Sequence, residues 1–368
     1  MSAGAEPGRR DAVVIGGGPA GLAFAAAAAR RGLSVTVLER AEGPVDKACG
    51  EGILPAGVRA LEELGVAARL GPDDAAPIRE LRWIEVSGAT ARLRLPAPGG
   101  LGVRRLALSA ALRARAREAG AEVLGGEEVT EHRREAGGVV AVTRAREVRA
   151  RMLVAADGLG SPVRRREGLD LPPHGLLRYG LRRHLAIAPW ADAVEVHFSE
   201  GVEAYVTPAG RGRVGVAFLF ERRRAASFEE LLAGFPALAR RLEGAAPDSA
   251  VRGAGPLARG TRARVADRLA LLGDAAGYVD AVTGEGLSLA FACALGLAEL
   301  LPGALARGAT AEALRPYERL WAAHFRPYAA WTRLVLGLGR HPALRRRVLA
   351  LACWQPAPFE RLVARAVG

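Results

Sequence analysis

The chain has few cysteines, one lysine and almost no amide side chains. Its three cysteines, Cys49, Cys293 and Cys353, lie far apart among 368 residues. Because they form no CxxC pair and no cluster with histidine, the sequence argues against a disulfide framework and predicts no metal site. Lys47 is the only lysine, Gln355 is the only glutamine, and asparagine is absent. This composition is typical of a GC-rich genome, which encodes arginine in place of lysine.

Long apolar segments are also lacking. Residues 1–10 are polar, so we expect no signal peptide. The longest apolar run, residues 286–298, ends at Glu299 and is shorter than a bilayer-spanning helix. We therefore expect a cytoplasmic protein, for which a peripheral contact with a membrane stays open.

Acidic residues are outnumbered by basic ones. The chain has 52 Lys and Arg against 39 Asp and Glu, a formal charge of +13. Such a charge permits nucleic acid, an anionic membrane or an anionic cofactor as a partner. No motif of known nucleic-acid readers is present, so we expect no nucleic-acid partner. Because genome composition explains part of the arginine content, the charge alone does not choose between the other two.

The N-terminal segment predicts a β-strand, a helix and a second β-strand. Residues 11–15 are an apolar run typical of a buried parallel strand, and three glycines and a proline follow it. An alanine-rich helix is predicted over residues 20–31, and the next strand over residues 34–38, with Glu39 at its end. This order is a complete βαβ unit.

The pattern changes near residue 171. Apolar and polar residues alternate in short runs between turns from there to about residue 260, which predicts an inserted antiparallel sheet. Buried strands are again expected at 151–155 and 268–272, and arginine-rich amphipathic helices follow residue 311. The sequence therefore predicts an α/β fold with three parts. They are a discontinuous Rossmann-like domain (1–170 and 261–305), an antiparallel-sheet substrate domain (171–260) and a C-terminal helical region (306–368).

A glycine-rich turn joins the first predicted strand to its helix. Residues 16–21 read GGGPAG, a GxGxxG motif in which Gly16 permits the tight turn, Gly18 lets a pyrophosphate approach, and Gly21 lets helix and strand pack closely. Glu39 can accept hydrogen bonds from a ribose and would repel the 2′-phosphate of NADP. The contacts predicted here are Gly16, Gly18, Pro19, Ala20, Gly21, Glu39 and Arg40.

With two further motifs the sequence resembles the FAD-binding oxidoreductases of the para-hydroxybenzoate hydroxylase fold. These include aromatic-ring monooxygenases, geranylgeranyl reductases and flavin-dependent halogenases. The motifs are VAADGLGSPVR at 154–164, and LLGDAA at 271–276 followed by TGEGL at 283–287. The resemblance implies that the Rossmann-like domain binds FAD. No second GxGxxG occurs in a βαβ setting, so a separate NAD domain is not expected.

The resemblance also implies roles for single residues. Asp274 would bind the ribityl chain, and backbone N–H groups near Gly286 and Leu287 would face the N1–C2=O edge of the flavin, where a helix N-terminus stabilises negative charge. Arg105 fits the pattern Arg-x-x-hydrophobic-polar-x-x-Leu and would contact FAD from the start of a helix. The FAD contacts implied are Cys49, Gly50, Arg105, Asp157, Gly158, Gly273, Asp274, Gly284, Gly286 and Leu287.

The loop at residues 46–55 contains the string Cys-Gly-Glu-Gly, which is similar to the geranylgeranyl-reductase branch. In this fold family the loop passes the flavin ring. Cys49 is therefore a candidate catalytic residue that donates a proton to a substrate carbon, and Lys47 would lower its pKa if the two groups approach closely. The alternative is that Cys49 only packs beside the ring.

The segment Tyr205-Val206-Thr207-Pro208 lies where the reductase branch carries Tyr-x-Trp-x-Phe-Pro. Its Trp and Phe are missing, and the halogenase string Trp-x-Trp-x-Ile-Pro is absent too. We expect Tyr205, Thr207 and Pro208 to face the substrate, and halogenation is disfavoured. The histidines of the predicted sheet are expected to be structural; they are His174, His184 and His197.

The broken reductase string favours an NAD(P)H-using flavoprotein monooxygenase. It would hydroxylate a hydrophobic or aromatic small molecule through a flavin C4a-hydroperoxide, with FAD as cofactor and NAD(P)H as transient reductant. The first alternative, which the Cys49 loop favours, is a geranylgeranyl-reductase-like reductase or dehydrogenase of a hydrophobic substrate. The second is a non-catalytic flavin-binding interaction protein.

Overall fold

The computed structural model describes residues 8–172, 177–221, 227–355 and 357–361. A parallel sheet forms the centre of the first part of the chain. Its parallel strands lie in the spatial order Leu269–Leu271, Glu147–Ala155, Arg10–Ile15, Val35–Glu39 and Glu122–Gly125. The strand Val265–Ala266 and the hairpin Glu131–Glu135 with Gly138–Val142 extend it in antiparallel fashion. The predicted βαβ unit is present, and the α/β fold class is confirmed. His174 lies outside the described residues.

Helices pack on this sheet and on the second sheet described below. They are α1 (Pro19–Ala29), α2 (Pro55–Leu64), α3 (Arg105–Glu118), α4 (Pro162–Arg166), α5 (Phe228–Ala233), α6 (Pro236–Arg241), α7 (Gly286–Ala306), α8 (Arg315–Arg340) and α9 (Pro342–Trp354). Short 3-10 turns span Ala67–Arg69 and Gly273–Ala276. Helix α1 is buried almost all round, because its alanines let α3 and α7 pack closely against it.

The apolar run at residues 286–298 predicts a helix that ends at about Leu300. The observed helix α7 continues to Ala306, with Pro302 inside it. By length and composition it is apolar enough to cross a membrane, and half of its most apolar window is buried inside the protein. It packs against α1, α2 and α8, as a core helix does.

The second large sheet is mainly antiparallel. Its strands lie in the order Ala246–Pro247, Arg178–Ala186, Val214–Glu221, Val202–Pro208, Ala193–Ser199, Glu80–Ile84 and Thr90–Arg94, and Arg252–Ala254 also pairs with Arg178–Ala186. The predicted range of 171–260 omitted two of these strands, Glu80–Ile84 and Thr90–Arg94. Local alternation cannot show which sheet a strand joins, because that depends on long-range pairing.

Smaller elements join the two large sheets. A three-stranded sheet contains Gly52–Ile53, Ala75–Ile78 and Gly100–Val103, and a two-stranded pair contains Asp170–Leu171 and Gly260–Thr261. One face of the second sheet packs on α8 and α9, and the other face packs on α5 and α6. Residues of the face that packs on α8 and residues at the ends of the parallel strands line one common cavity.

A buried ion pair fastens α9 to the second sheet. The guanidinium of Arg345 pairs with the carboxylate of Glu85, donates to the carbonyl of Gly339 at 2.7 Å, and lies over the ring of Phe198. Both charged side chains are buried. Removing one partner leaves an uncompensated buried charge, which is more costly than replacing both.

We expect Arg345→Met to lower the free energy of unfolding by about 3 kcal/mol, because Glu85 loses its partner. The double variant Arg345→Met with Glu85→Leu should recover most of that loss. Urea denaturation of the two variants and of Glu85→Leu alone measures the coupling. Additive losses would show that the pair does not fasten the helix.

Candidate functional site

A cavity of about 990 Å³ lies where the carboxyl ends of the parallel strands meet the second sheet. Ligands of open α/β sheets bind at this edge. The predicted site residues that line it are Gly16, Gly18, Pro19, Ala20, Glu39, Arg40, Lys47, Cys49, Gly50, Arg105, Asp157, Gly158, Tyr205, Thr207, Gly273, Asp274, Gly284, Gly286 and Leu287. Gly21 and Pro208 do not line it. Gly21 lies where helix and strand pack, and the carbonyl of Pro208 faces Gly102 of the small sheet.

The glycine-rich turn forms an open cradle at one end of the cavity. Gly16 has φ +107°, and a Cβ there would collide with the carbonyl oxygen of Ala156. A Cβ on Gly21 would collide with the carbonyl oxygen of Gly16, so only glycine permits this close contact. At Gly18 nothing lies within 4 Å of the position that a Cβ would take. No side chain caps α1, so its first N–H groups are free to bind an anion such as a pyrophosphate.

Glu39 is held at the end of its strand beside this cradle. Its Oε2 accepts a hydrogen bond from the N–H of Gly17 at 2.7 Å, and its Oε1 accepts one from the N–H of Ala41 at 3.0 Å. The carboxylate is therefore fixed at the cavity wall. This position suits the ribose contact that the sequence predicted.

Acidic and basic side chains line the middle of the cavity. Asp274 faces the cavity, and its enclosure by the chain raises the pKa of its carboxyl, while the charges of Arg105, Lys47 and Arg164 act to lower it. Arg105 is the first residue of α3, and its Nε is buried without a hydrogen-bond partner among the described residues. Its neighbour Arg104 pairs with Asp248 instead. The free donor of Arg105 fits a polar or anionic group in the cavity.

The far end of the cavity meets the start of α7. Gly284, Gly286 and Leu287 line it there, and no side chain caps the helix. Two uncapped helix N-termini, those of α1 and α7, therefore line the cavity. Together with the free Arg105 donor this set fits FAD: α1 would hold the pyrophosphate and α7 the N1–C2=O edge of the flavin.

Cys49 lies at the cavity wall on the loop between the two sheets. The N–H of Glu51 donates a hydrogen bond to its Sγ at 3.4 Å. Burial raises the pKa of the Cys49 thiol, and the nearby charges belong to Arg105, Glu51 and Arg182. Lys47, which was expected to lower the pKa of Cys49, is not among these charges. Its ammonium instead acts to lower the pKa of Asp274. The thiol is therefore protonated at neutral pH.

The sequence analysis did not single out Glu51, a buried residue that is 2% exposed and lies two positions after Cys49 on this loop. Its Oε1 accepts a hydrogen bond from the N–H of Arg105 at 2.9 Å, and its Oε2 pairs with Nε2 of His184. Nδ1 of His184 contacts the Oγ of Ser249 at 3.1 Å, and Arg182 pairs with Asp46. His184 was expected to be structural, and its partners place it directly beneath the Cys49 loop.

A sequence signal for this network does exist. Arg182 and His184 are two residues apart in one strand, so they point to the same face of the sheet. Both are buried, and polar or charged side chains on a buried face require partners. The partners could not be named, because Asp46 and Glu51 lie more than 130 residues away along the chain.

We expect Gly18→Val and Asp274→Ala to weaken FAD binding by about ten- to a hundredfold. The valine would occupy the cradle, and the alanine would remove a charged hydrogen-bonding group. Fluorescence titration of the apoprotein with FAD measures both effects. Gly212→Val is the matched control, since Gly212 also has space for a side chain but does not line the cavity. Unchanged affinity in the first two variants would remove these residues from the FAD site.

Glu51 adopts a left-handed backbone conformation with φ +61°, so two effects must be separated on mutation. We expect Glu51→Gly to relieve the backbone strain but still to lower stability by about 3 kcal/mol, because His184 and Arg182 lose their carboxylate. Glu51→Gln, which keeps the acceptor for Arg105, should lose less. Urea denaturation at constant FAD saturation checks the order. A Glu51→Gly variant as stable as the wild type would show that the carboxylate is not needed.

Comparison with known proteins gives the family. A family model described as an FAD binding domain matches residues 9–229. A menaquinone reductase of Mycobacterium tuberculosis is 32% identical over 315 residues, which cover 79% of this chain and 76% of the relative. A digeranylgeranylglycerophospholipid reductase of Methanopyrus kandleri is 33% identical over 346 residues, which cover 86% of this chain and 87% of the relative.

Solved structures share the fold at lower identity. A flavoprotein/dehydrogenase from Cytophaga hutchinsonii has a TM-score of 0.80 at 19% identity and covers 97% of this chain and 96% of that one. The halogenase PltM in complex with phloroglucinol and FAD has a TM-score of 0.75 at 20% identity and covers 96% of this chain and 86% of that one. The chain therefore belongs to the FAD binding domain family and is an FAD-dependent oxidoreductase.

Proposed function

We propose that the protein reduces carbon–carbon double bonds of a hydrophobic, isoprenoid-type substrate. The observation that carries this proposal is a row of side chains on five neighbouring strands of the second sheet. The strand register places Trp83, Val196, Tyr205, Ala217 and Arg182 opposite one another in this order. All five line the cavity. With strands about 4.8 Å apart, the row is roughly 19 Å long.

This row is charged at one end and apolar along the rest. Arg182 lies at the end near Cys49, where its charge acts on the thiol. The hydroxyl of Tyr205 donates to the carbonyl of Val282 at 2.9 Å, so mainly its ring faces the cavity. Trp331 and Val335 of α8 add apolar wall. Such a slot suits a long apolar chain whose reacting carbons lie at the Cys49 end.

The relatives support a reductase over the monooxygenase that the sequence favoured. Both curated relatives are named as reductases of lipids, menaquinone and digeranylgeranylglycerophospholipid. Both lipids carry isoprenoid chains. The two solved structures described above are 19% and 20% identical and support only the fold.

Two hydrogens must reach the double bond by different routes. When bound and reduced, FAD supplies a hydride. The second carbon needs a proton, and Cys49 Sγ is suited to hold it because burial keeps the thiol protonated. The apolar row excludes water from the reacting carbons. We propose NAD(P)H as the transient reductant, since no second GxGxxG motif provides a resident NAD domain.

Product mass tests the reaction class. The FAD-loaded protein is reduced with dithionite under anaerobic conditions and mixed with geranylgeraniol, an isoprenoid that has no quinone ring for dithionite itself to reduce. We expect a gain of about 2 Da for each reduced bond without oxygen. In a parallel run, isotopically labelled oxygen is admitted. A product that forms only then and carries the oxygen label would support the monooxygenase and contradict the reductase. Flavin binding without conversion of any such lipid would support the non-catalytic alternative.

Cys49→Ala should lower kcat for reduction about a hundredfold, the usual worth of a general acid. FAD content should stay unchanged, and Cys49→Ser should be intermediate. Because burial raises the pKa of the thiol, wild-type activity should persist at pH values above the ordinary pKa of cysteine. Unchanged kcat in Cys49→Ala at saturating substrate would assign the residue to packing alone.

A further inference from the structure

The C-terminal helices contain a long stretch without acidic residues. Residues 319–359 include seven arginines and no aspartate or glutamate, so all 39 acidic residues of the chain lie outside this stretch. A genome bias toward arginine does not remove acids. The stretch covers most of α8 and all of α9. Its charge therefore differs from that of the rest of the chain.

Two of the seven arginines are neutralised. Arg345 is buried against Glu85, and Nε of Arg340 lies 3.4 Å from Oε1 of Glu221. The other five are exposed and form no ion pair within the described ranges; they are Arg319, Arg326, Arg333, Arg346 and Arg347. Three of them recur every seven residues along α8, so they form a row on one side of that helix.

Exposed apolar side chains are concentrated on the same two helices. Among the described residues six large hydrophobic side chains are exposed, and four of them belong to α8 and α9: Leu334, Leu344, Leu351 and Trp354. Leu351 is 57% exposed and Trp354 is 75% exposed. Leu344, Leu351 and Trp354 are spaced seven and three residues apart, with Arg347 between the first two. They therefore share one face of α9.

Helix α8 also connects this surface to the cavity. Trp331 and Val335 line the cavity, whereas Arg333 and Leu334 between them are exposed. One side of the helix thus contacts the proposed substrate slot, and its other side presents cationic and apolar groups to the outside.

We propose that the exposed face of α8 and α9 docks on the surface of an anionic lipid bilayer. Arginines contact headgroup phosphates, while Leu344, Leu351 and Trp354 enter the headgroup boundary, as in interfacial amphipathic helices. The buried Arg345–Glu85 pair keeps α9 fixed to the protein during docking. This surface goes beyond the proposed reaction, because docking requires neither substrate nor turnover.

Sedimentation with lipid vesicles tests the proposal on the full FAD-loaded chain without substrate. We expect the wild type to bind vesicles of phosphatidylcholine with phosphatidylglycerol about tenfold more strongly than vesicles of phosphatidylcholine alone, because cationic side chains near the surface drive binding. The double variant Leu351→Ser with Trp354→Ser should no longer sediment with the vesicles. The single variant Trp354→Phe, which keeps an apolar ring, should retain most of the wild-type binding. Arg346→Gln with Arg347→Gln should weaken binding to the anionic vesicles only.

The matched control is Arg30→Gln with Arg31→Gln. This variant removes the same charge from an exposed adjacent pair just after α1, and its binding should equal that of the wild type. Equal loss in both arginine variants would show that only net charge matters, which overturns the proposed face. A wild type that stays in solution with both vesicles would overturn it as well. Size-exclusion chromatography with light scattering adds one more outcome: a dimer dissociated by Leu351→Ser with Trp354→Ser would make the face a contact between two copies.

Failure here and failure of the proposed reaction can be told apart. Vesicle binding by a protein that reduces no lipid would retain the docking face and reject the reductase. Reduction of detergent-dispersed lipid by a protein that binds no vesicle would retain the reductase and reject the docking face.

Discussion

The buried carboxylate of Glu51 is the constraint on which the geometry of the cavity depends. One oxygen receives the first N–H of α3, and the other pairs with His184 of the second sheet. A buried carboxylate is tolerated only when both of its oxygens are satisfied. The loop that carries Cys49 is therefore fixed to both halves of the protein at once. Glu51 therefore connects the loop that carries Cys49 to the strand that carries His184 and Arg182.

Local motifs made the nucleotide-binding half predictable. The GxGxxG turn, Glu39, Asp157 and Asp274 each lie at or just after the end of a buried parallel strand, and the ends of such strands meet at one edge of the sheet. Recognising each of these strands as a buried parallel strand is therefore enough to predict that the motifs lie together. The same logic fails for His184 and Glu51, whose pairing joins a strand to a loop 133 residues away. It also fails for Glu80–Ile84, which pairs in parallel with Ala193–Ser199.

The cavity wall around Tyr205 shows what a motif along one strand leaves out. The absence of Trp and Phe beside Tyr205 broke the reductase string and led the sequence analysis to favour a monooxygenase of a hydrophobic or aromatic small molecule. In the fold, the wall is composed across strands: Trp83 comes from an earlier segment, and Trp331 from a helix more than 120 residues later than Tyr205. Aromatic area near Tyr205 is therefore supplied by residues distant in sequence. A sequence motif along one strand reports only the residues that this strand contributes to the wall of the cavity.

The lone lysine has a local steric explanation in this geometry. Its backbone carbonyl accepts a hydrogen bond from Arg182 at 3.0 Å, while Nζ would lie 3.7 Å from a Cβ placed on Gly158. Lys47 thus joins the second sheet through its backbone and reaches the Asp-Gly motif of the first sheet through its side chain. An ammonium is a compact charge, whereas a guanidinium is a broad planar group that needs space for its fork. Lys47 and Gly158 both line the cavity, so an arginine at position 47 would bring the broader group against this glycine. The compact ammonium of lysine is the smaller fit there.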